Sequence, residues 1–174
     1  MFFEICAVLA ILFIVLALLT VISNWGNGPA TDLTHSMKDK IVVITGGSRG
    51  IGLETTKDLL RQGATVIMGC RNSTQAKQAI ETIDNLTHKS RCTFMHLDLT
   101  DYENIKSFTE EIKSKFGKID ILINNAGSCF RNFTLSDGIE LTYFTNHLGH
   151  LILSCLLLDN FNLKFCPDAE IWTI

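Results

Sequence analysis

The residues best placed to do chemistry are Thr45-Gly46-Gly47-Ser48-Arg49-Gly50-Ile51-Gly52, which stand between a β-branched run, Ile41-Val42-Val43-Ile44, and a stretch with helical apolar spacing. Glycines at such a junction permit a tight turn. They let a pyrophosphate approach backbone N–H groups, and the helix N-terminus adds a favourable dipole. A glycine-rich turn without a ligand is the plain alternative, and the strand–turn–helix setting argues against it. The end of the next strand bears on which dinucleotide would fit. An acidic residue there would bond the ribose hydroxyls of NAD. Cys70 stands in that place, followed by Arg71, and Arg49 lies inside the turn. Two guanidinium groups can give a 2′-phosphate charge-assisted, bidentate hydrogen bonds. The pattern therefore favours NADP(H). The alternative is a solvated Arg71 and bound NAD.

Other reactive side chains give weaker signals. His147 and His150 have i, i+3 spacing, which could suit a metal, but no third ligand is evident and no metal is expected. Cys6, Cys70, Cys92, Cys129, Cys155 and Cys166 form no C-x-x-C pair. They read as free, mostly buried thiols of a reducing compartment. Three N-x-S/T triplets begin at Asn72, Asn85 and Asn132. In a cytosolic domain they carry no message.

The elements that must position the glycine turn alternate. Strands are predicted over 41–45, 64–68, 92–97, 119–123 and 169–174. Helices are predicted over 51–62, 73–85, 100–116 and 137–158. The first helix should face inward with Ile51, Thr55, Leu59 and Leu60, and Gly63 is placed to end it. The second should bury Ala76, Ala79, Ile80 and Ile83. Thr100-x-x-Glu103 reads as a capping box for the third. Strands alternating with helices of this length imply βαβ units, hence an α/β, doubly wound parallel (Rossmann-type) sheet. The continuous apolar runs Ile41–Ile44 and Ile121–Ile123 suit strands buried on both faces.

Of 174 residues, 15 are Lys or Arg and 18 are Asp or Glu, and no basic run supports nucleic-acid binding. The mean hydropathy, +0.24, is high for a soluble domain. Much of the excess lies in Ile5 to Ile22, apolar throughout except for Thr20. As a helix this run rises about 27 Å, close to the ~30 Å hydrocarbon core. A buried core helix would need a polar stripe or partners all round, and there is no stripe. A cleaved signal peptide would show a basic start and a small-x-small site. An uncleaved membrane anchor fits best, with Trp25 at the interface. Lys38 and Lys40 follow the run and no Lys or Arg precedes it, which places the rest of the chain in the cytosol. Glycosylation at any of the three Asn triplets would overturn that orientation. The organisation is thus an anchor over 1–23, a linker over 24–39 and a nucleotide-binding domain over 40–174.

The turn sequence T-G-x-x-x-G-x-G resembles that of the short-chain dehydrogenase/reductase family, and further matches follow in the family's order. Asp98 in Leu97-Asp98-Leu99 resembles the acidic residue that contacts the adenine. Asn124-Asn125-Ala126-Gly127 resembles the family's N-N-A-G. Asn146 in Asn146-His147-Leu148-Gly149-His150 resembles the Asn of its catalytic tetrad. Asp137-Gly138-Ile139-Glu140 with that N-H-L-G-H is similar to the membrane-anchored retinol dehydrogenase branch. The resemblance covers about 37–174. It implies strand order 3-2-1-4-5 and a cofactor site built from Thr45, Gly46, Ser48, Arg49, Gly50, Ile51, Gly52, Arg71, Asp98, Leu99, Asn125, Ala126 and Gly127. It implies Asn146 as catalytic, and His147 and His150 as packing residues. It also implies NADP(H)-dependent oxidation or reduction of a lipophilic, retinoid-like alcohol or carbonyl. The expected setting is the endoplasmic reticulum membrane, and a homo-oligomer is an allowed assembly.

The family's reaction also uses a Tyr, whose free phenol has a pKa near ~10. A Lys one helical turn later lowers that pKa, and a Ser at the end of strand five orients the substrate. The one Y-x-x-x-K in the chain is Tyr102-Glu103-Asn104-Ile105-Lys106. It opens the helix after strand three, ahead of N-N-A-G, and reads as a chance match. Tyr143 has His147 at i+4 and no lysine. Ala169–Ile174 resembles the start of the Ser-bearing strand, so this chain alone is expected to be inactive. Three readings stay open: part of a longer enzyme, a short non-catalytic NADP-binding or interaction module, and an unstable product with a bare sheet edge.

Overall fold

The computed structural model describes residues 11–21, 36–87, 91–136, 138–160 and 171–173. It divides into two compact units, Met1–Thr34 and His35–Ile174. In the first, the described part is one apolar helix, α1, Ile11–Val21. Its side chains are exposed. Its polar residue, Thr20, donates to the Ala17 carbonyl at 2.8 Å and is satisfied within the helix. The rest of the expected span, residues 5–10 and 22, lies outside the described residues, as do Trp25 and Cys6.

In the second unit, β1 (Ile41–Thr45), β2 (Thr65–Cys70), β3 (Cys92–His96), β4 (Ile121–Asn124) and β7 (Ile171–Thr173) form a parallel sheet in the order β3-β2-β1-β4-β7. Helices α2 (Gly50–Arg61), α3 (Ser73–Thr87), α4 (Tyr102–Phe116) and α5 (Leu141–Asn160) alternate with the strands. The predicted doubly wound architecture and strand order are the ones found. The period of two along each strand divides the core. Val42 and Ile44 of β1 join Leu59 and Leu60 of α2 and Ala76, Ala79 and Ile83 of α3. Val43 and Leu122 join Ile105, Phe108 and Ile112 of α4 and Leu153 and Leu157 of α5. Continuous apolar strands are what such a two-faced core requires. At their bottom edge, Asp120 clamps β1 to β4. Its carboxylate accepts the Ile41 N–H at 2.9 Å and pairs with Lys40 at 3.1 Å.

Several expectations are corrected. The inward face of α2 is Gly52, Thr56, Leu59 and Leu60, and Ile51 is 69% exposed. Gly52, Thr56 and Leu59 form the inward i, i+4, i+7 row, and Ile51 on the first turn lies one residue off it. The capping box does not form. Asp101 caps α4 by accepting the Asn104 N–H at 3.0 Å, while Thr100 donates backwards to Asp98 at 2.7 Å. Helix α5 does not start at Asp137, which lies outside the described residues. A two-stranded hairpin, β5 (Leu135–Ser136) and β6 (Ile139–Glu140), turns at Gly138 with φ +80°. Glu140 then caps α5, taking the N–H groups of Thr142 at 2.9 Å and Tyr143 at 2.8 Å. Those bonds hold its carboxyl below the usual range. Of the four described cysteines, Cys70 and Cys92 are buried but Cys129 and Cys155 are exposed. By length and composition α5 could cross a membrane, yet Leu153 and Leu157 pack it into the domain core.

Candidate functional site

A groove of about 650 Å³ opens along the carboxyl ends of β2, β1 and β4. In open α/β sheets ligands bind outside these strand ends, where the chain order reverses. Here the reversal lies at β1, between β2 and β4. Twelve predicted cofactor residues line the groove: Gly46, Ser48, Arg49, Gly50, Ile51 and Gly52 from the turn, Arg71 after β2, Asp98 and Leu99 after β3, and Asn125, Ala126 and Gly127 after β4. Four sequence-distant segments thus meet in one place.

The turn is built by close approach. Gly46 has φ +68°, a region that L side chains rarely adopt, and a Cβ there would lie 2.9 Å from Ala126 Cα. At Gly52 an added Cβ would meet the Asn125 side-chain nitrogen at 2.4 Å and the Gly46 carbonyl oxygen at 2.5 Å. The space is used by Asn125, whose amide donates to the carbonyls of Thr45 at 2.8 Å and Gly46 at 3.2 Å. These bonds tie the glycine turn to the loop after β4. The same loop is tied from below. Thr45 is fully buried and lies behind the groove rather than along it. Its hydroxyl oxygen accepts the N–H groups of Asn125 at 3.0 Å and Ala126 at 2.9 Å.

The electrostatics of the groove favour an anion. Arg49 precedes α2 without capping it by a side-chain hydrogen bond, and the first turn holds no acidic residue. The leading N–H groups and the positive end of the helix dipole therefore stay uncompensated at the groove. Arg49 and Arg71 are exposed, and neither pairs with a carboxylate among the described residues. Burial pushes the Cys70 thiol up from its ordinary pKa, against hydrogen bonds with Ser48 and with the backbone of Gly46 and Gly47. It is therefore neutral and does not repel a phosphate. At the far end, Asp98 accepts the N–H and hydroxyl of Thr100 at 3.0 and 2.7 Å on one carboxylate oxygen. The other takes no hydrogen bond among the described residues, and Asp98 lines the groove.

Asn146 lies outside the lining. It sits in a π-helical turn, Phe144–Leu148, within α5. Its amide is engaged at both ends by the backbone of one residue, accepting the Ser128 N–H at 2.8 Å and donating to the Ser128 carbonyl at 2.9 Å. These two bonds brace the segment after Gly127. Ser128, Thr145, Gln75 and Asn72 line the groove and were not singled out by sequence. Their signal was adjacency: each flanks a predicted site residue or follows Arg71 on the first turn of α3. The expectation that both histidines pack fails for His147, which is exposed against the Tyr143 ring with centroids 5.3 Å apart. His150 is 5% exposed, and its Nε2 lies 2.9 Å from Thr45 Oγ1. Tyr102 and Lys106 do not line the groove. Among the described residues no group of three His, Cys, Asp or Glu side chains could hold a metal ion.

Known proteins share this arrangement. The family model described as short chain dehydrogenase matches residues 40–164. Short-chain dehydrogenase TIC 32 B, chloroplastic, of Brassica napus is 42% identical over 141 residues, which are 79% of this chain and 44% of that protein. Retinol dehydrogenase 12 of Mus musculus is 39% identical over 133 residues, 76% of this chain and 42% of that one. The chain therefore spans less than half the length of these relatives. Among solved structures, 3-ketoacyl-(acyl-carrier-protein) reductase from Brucella melitensis, complexed with NADH, superposes with TM-score 0.64 at 24% identity, covering 79% of this chain and 57% of its own. The Pseudomonas aeruginosa RhlG/NADP complex gives 0.61 at 24%, covering 72% and 49%. At these identities the two structures speak for the fold alone. Strand order, glycine turn, N-N-A-G loop and sequence identity converge: the chain belongs to the short-chain dehydrogenase family of oxidoreductases, in its retinol dehydrogenase-like branch.

Proposed function

We propose that this chain is the cofactor-binding part of an NADP(H)-dependent oxidoreductase acting on a lipophilic alcohol or carbonyl, held at a membrane by its N-terminal helix. The observation that carries the cofactor choice is the strand-two end. A neutral thiol, Cys70, stands where an acid would hold NAD, and Arg49 and Arg71, neither paired with a carboxylate among the described residues, border the same groove. The RhlG complex holds NADP and the Brucella reductase holds NADH, so the fold admits either and the side chains must choose. The groove fits such a ligand. Its floor leaves no room for a Cβ at Gly46 or Gly52, and the α2 N-terminus is uncapped toward it.

In this reading Ser48, Arg49 and the first turn of α2 hold phosphate, Arg71 joins Arg49 on the 2′-phosphate, and Asp98 with Leu99 meets the adenine. Asn125, Ala126 and Gly127 form the floor. Thr45 holds that floor from below, and Asn146 braces its continuation at Ser128. Bound there, the nicotinamide supplies hydride exchange with an alcohol or carbonyl carbon. Asn146 is the one member of the family's tetrad that we assign within these 174 residues, so binding without turnover is expected of them alone. The division is an anchor over 1–23, a linker over 24–39 and the binding domain over 40–174. The apolar run and the lysines after it support membrane insertion with the domain facing the cytosol, and the membrane we propose is that of the endoplasmic reticulum.

The test is titration of the full chain with NADPH and NADH, for wild type and Arg71→Asp. One charge-assisted bond is worth about 1.5–3 kcal/mol, or roughly 10- to 150-fold in affinity. Wild type should prefer NADPH by such a factor, and Arg71→Asp should remove the preference. Equal affinities in wild type, or unchanged NADPH affinity in the variant, would refute the assignment.

A further inference from the structure

We infer that His150 is a positioning residue, a neutral imidazole that fixes the Thr45 hydroxyl so that its oxygen can hold the cofactor floor. The inference starts from the number of hydrogens available. Thr45 Oγ1 accepts two backbone N–H groups, from Asn125 at 3.0 Å and Ala126 at 2.9 Å. A hydroxyl oxygen has two lone pairs and one hydrogen. Both lone pairs are taken, so the hydroxyl must donate its hydrogen. The nearest acceptor is His150 Nε2 at 2.9 Å; the Ile123 carbonyl is at 3.5 Å. Nε2 must then carry no proton. The proton belongs on Nδ1, which donates to the Asn146 carbonyl at 3.4 Å. The tautomer follows from the bonds around it.

Protonation of Nε2 would place a third donor on the same oxygen. The oxygen cannot accept three, so an N–H bond to Asn125 or Ala126 would open. The imidazole is the titrating group of this node. Strand β1, strand β4 and the loop Asn125–Ser128 contribute no titratable side chain. On α4, Glu103, Lys106, Glu110 and Lys113 are exposed, as is His147 on α5. Asp98 is bound by Thr100. Burial lowers the pKa of His150 and so keeps it neutral at physiological pH. The node lies under the floor residues, and its effect on nucleotide binding rests on the function proposed above.

The test measures single-amide hydrogen exchange of Asn125 and Ala126 in the full chain, with the Ile67 amide of β2 as a control for global opening. NADPH affinity is followed in parallel. In wild type, protection of the two amides should fall about tenfold as acidification from about pH 7.5 protonates the imidazole, a step followed by its own ring-proton NMR shift, with Ile67 unchanged. His150→Gln presents an acceptor that does not titrate, so it should keep protection high at both pH values. His150→Leu offers no acceptor and should show low protection at both. Should His150→Leu fail to fold, His150→Gln decides. Protection that stays constant in wild type across the imidazole's own titration, an acid loss in His150→Gln equal to that of wild type, or protection in His150→Leu equal to that of wild type at neutral pH, would overturn the inference. Absence of NADPH binding at every pH would count against the proposed function alone, since exchange is measured without nucleotide.

Discussion

Replacement of Gly149 by Ala sets two physical effects against each other. Gly149 lies inside α5, where Ala has the higher helix propensity by about 1 kcal/mol. Propensity alone predicts a more stable protein. The packing predicts the reverse. A Cβ at Gly149 would lie 2.2 Å from the Leu99 carbonyl oxygen, 2.8 Å from Leu99 Cβ and 3.0 Å from its carbonyl carbon. Two of these are backbone atoms, so no flexible side-chain end can swing away. Reaching ordinary contact would lift α5 from the loop after β3 by roughly 1 Å. Overpacking of this kind costs about 1–3 kcal/mol, occasionally more, and a backbone clash belongs at the upper end. The net effect is a loss of about 2 kcal/mol. For a domain of this size that lowers the Tm by about 6–8 °C. Thermal unfolding followed by far-ultraviolet circular dichroism measures it. Because α5 carries both His150 and Asn146, nucleotide affinity should fall as well. A variant that melts at or above the wild-type temperature would refute the contact between α5 and Leu99.

Gly52→Ala should disconnect the glycine turn from the loop after β4, because its Cβ would displace the Asn125 amide. Two hydrogen bonds at about 1 kcal/mol each would be lost, so NADPH affinity should drop by ten-fold or more in a calorimetric titration. The His150 pKa is lowered by burial, so folding favours the neutral form. The unfolded state then binds more protons below its own pKa near ~6.5, and the stability present above that pH should decline as pH falls toward the folded value. Urea midpoints measured from about pH 7.5 down to pH 5 should show this decline in wild type and not in His150→Gln. Deletion of residues 1–23 should release the protein from membranes into a high-salt wash. Retention of the deleted form on membranes would contradict the anchor.

The sheet was legible because its strands are short apolar runs bounded by turn residues, and because Gly46 to Gly52 lies where the first strand must give way to a helix. The groove was legible for the same reason, since four separate motifs each end a strand of one parallel sheet. What sequence could not supply was rotation and pairing. Ile51 has apolar spacing yet is exposed, because it stands on the first turn of α2, which borders the groove instead of the core. Thr100 has the spacing of a cap, but Asp98 lies within reach of its hydroxyl and competes for it. His150 is buried as a packing residue should be, but its bond to Thr45, 105 positions away, leaves no local pattern in the sequence. The hairpin before α5 leaves no trace in the sequence, because strands of two residues carry no alternation to detect.

The strand order also sets a timetable for synthesis. Strand β1 is the middle of the finished sheet, with β2 on one side and β4 on the other. The first partner follows it closely, but the clamp between Ile41 and Asp120 spans 79 positions. At about 5–20 residues per second, roughly 4–16 s pass before a ribosome has made the second partner. Through that interval the apolar edge from Val42 to Ile44 has β2 on one flank and no partner on the other. Among the strands paired on both sides in the finished sheet, the central one waits longest for its second partner while the chain grows.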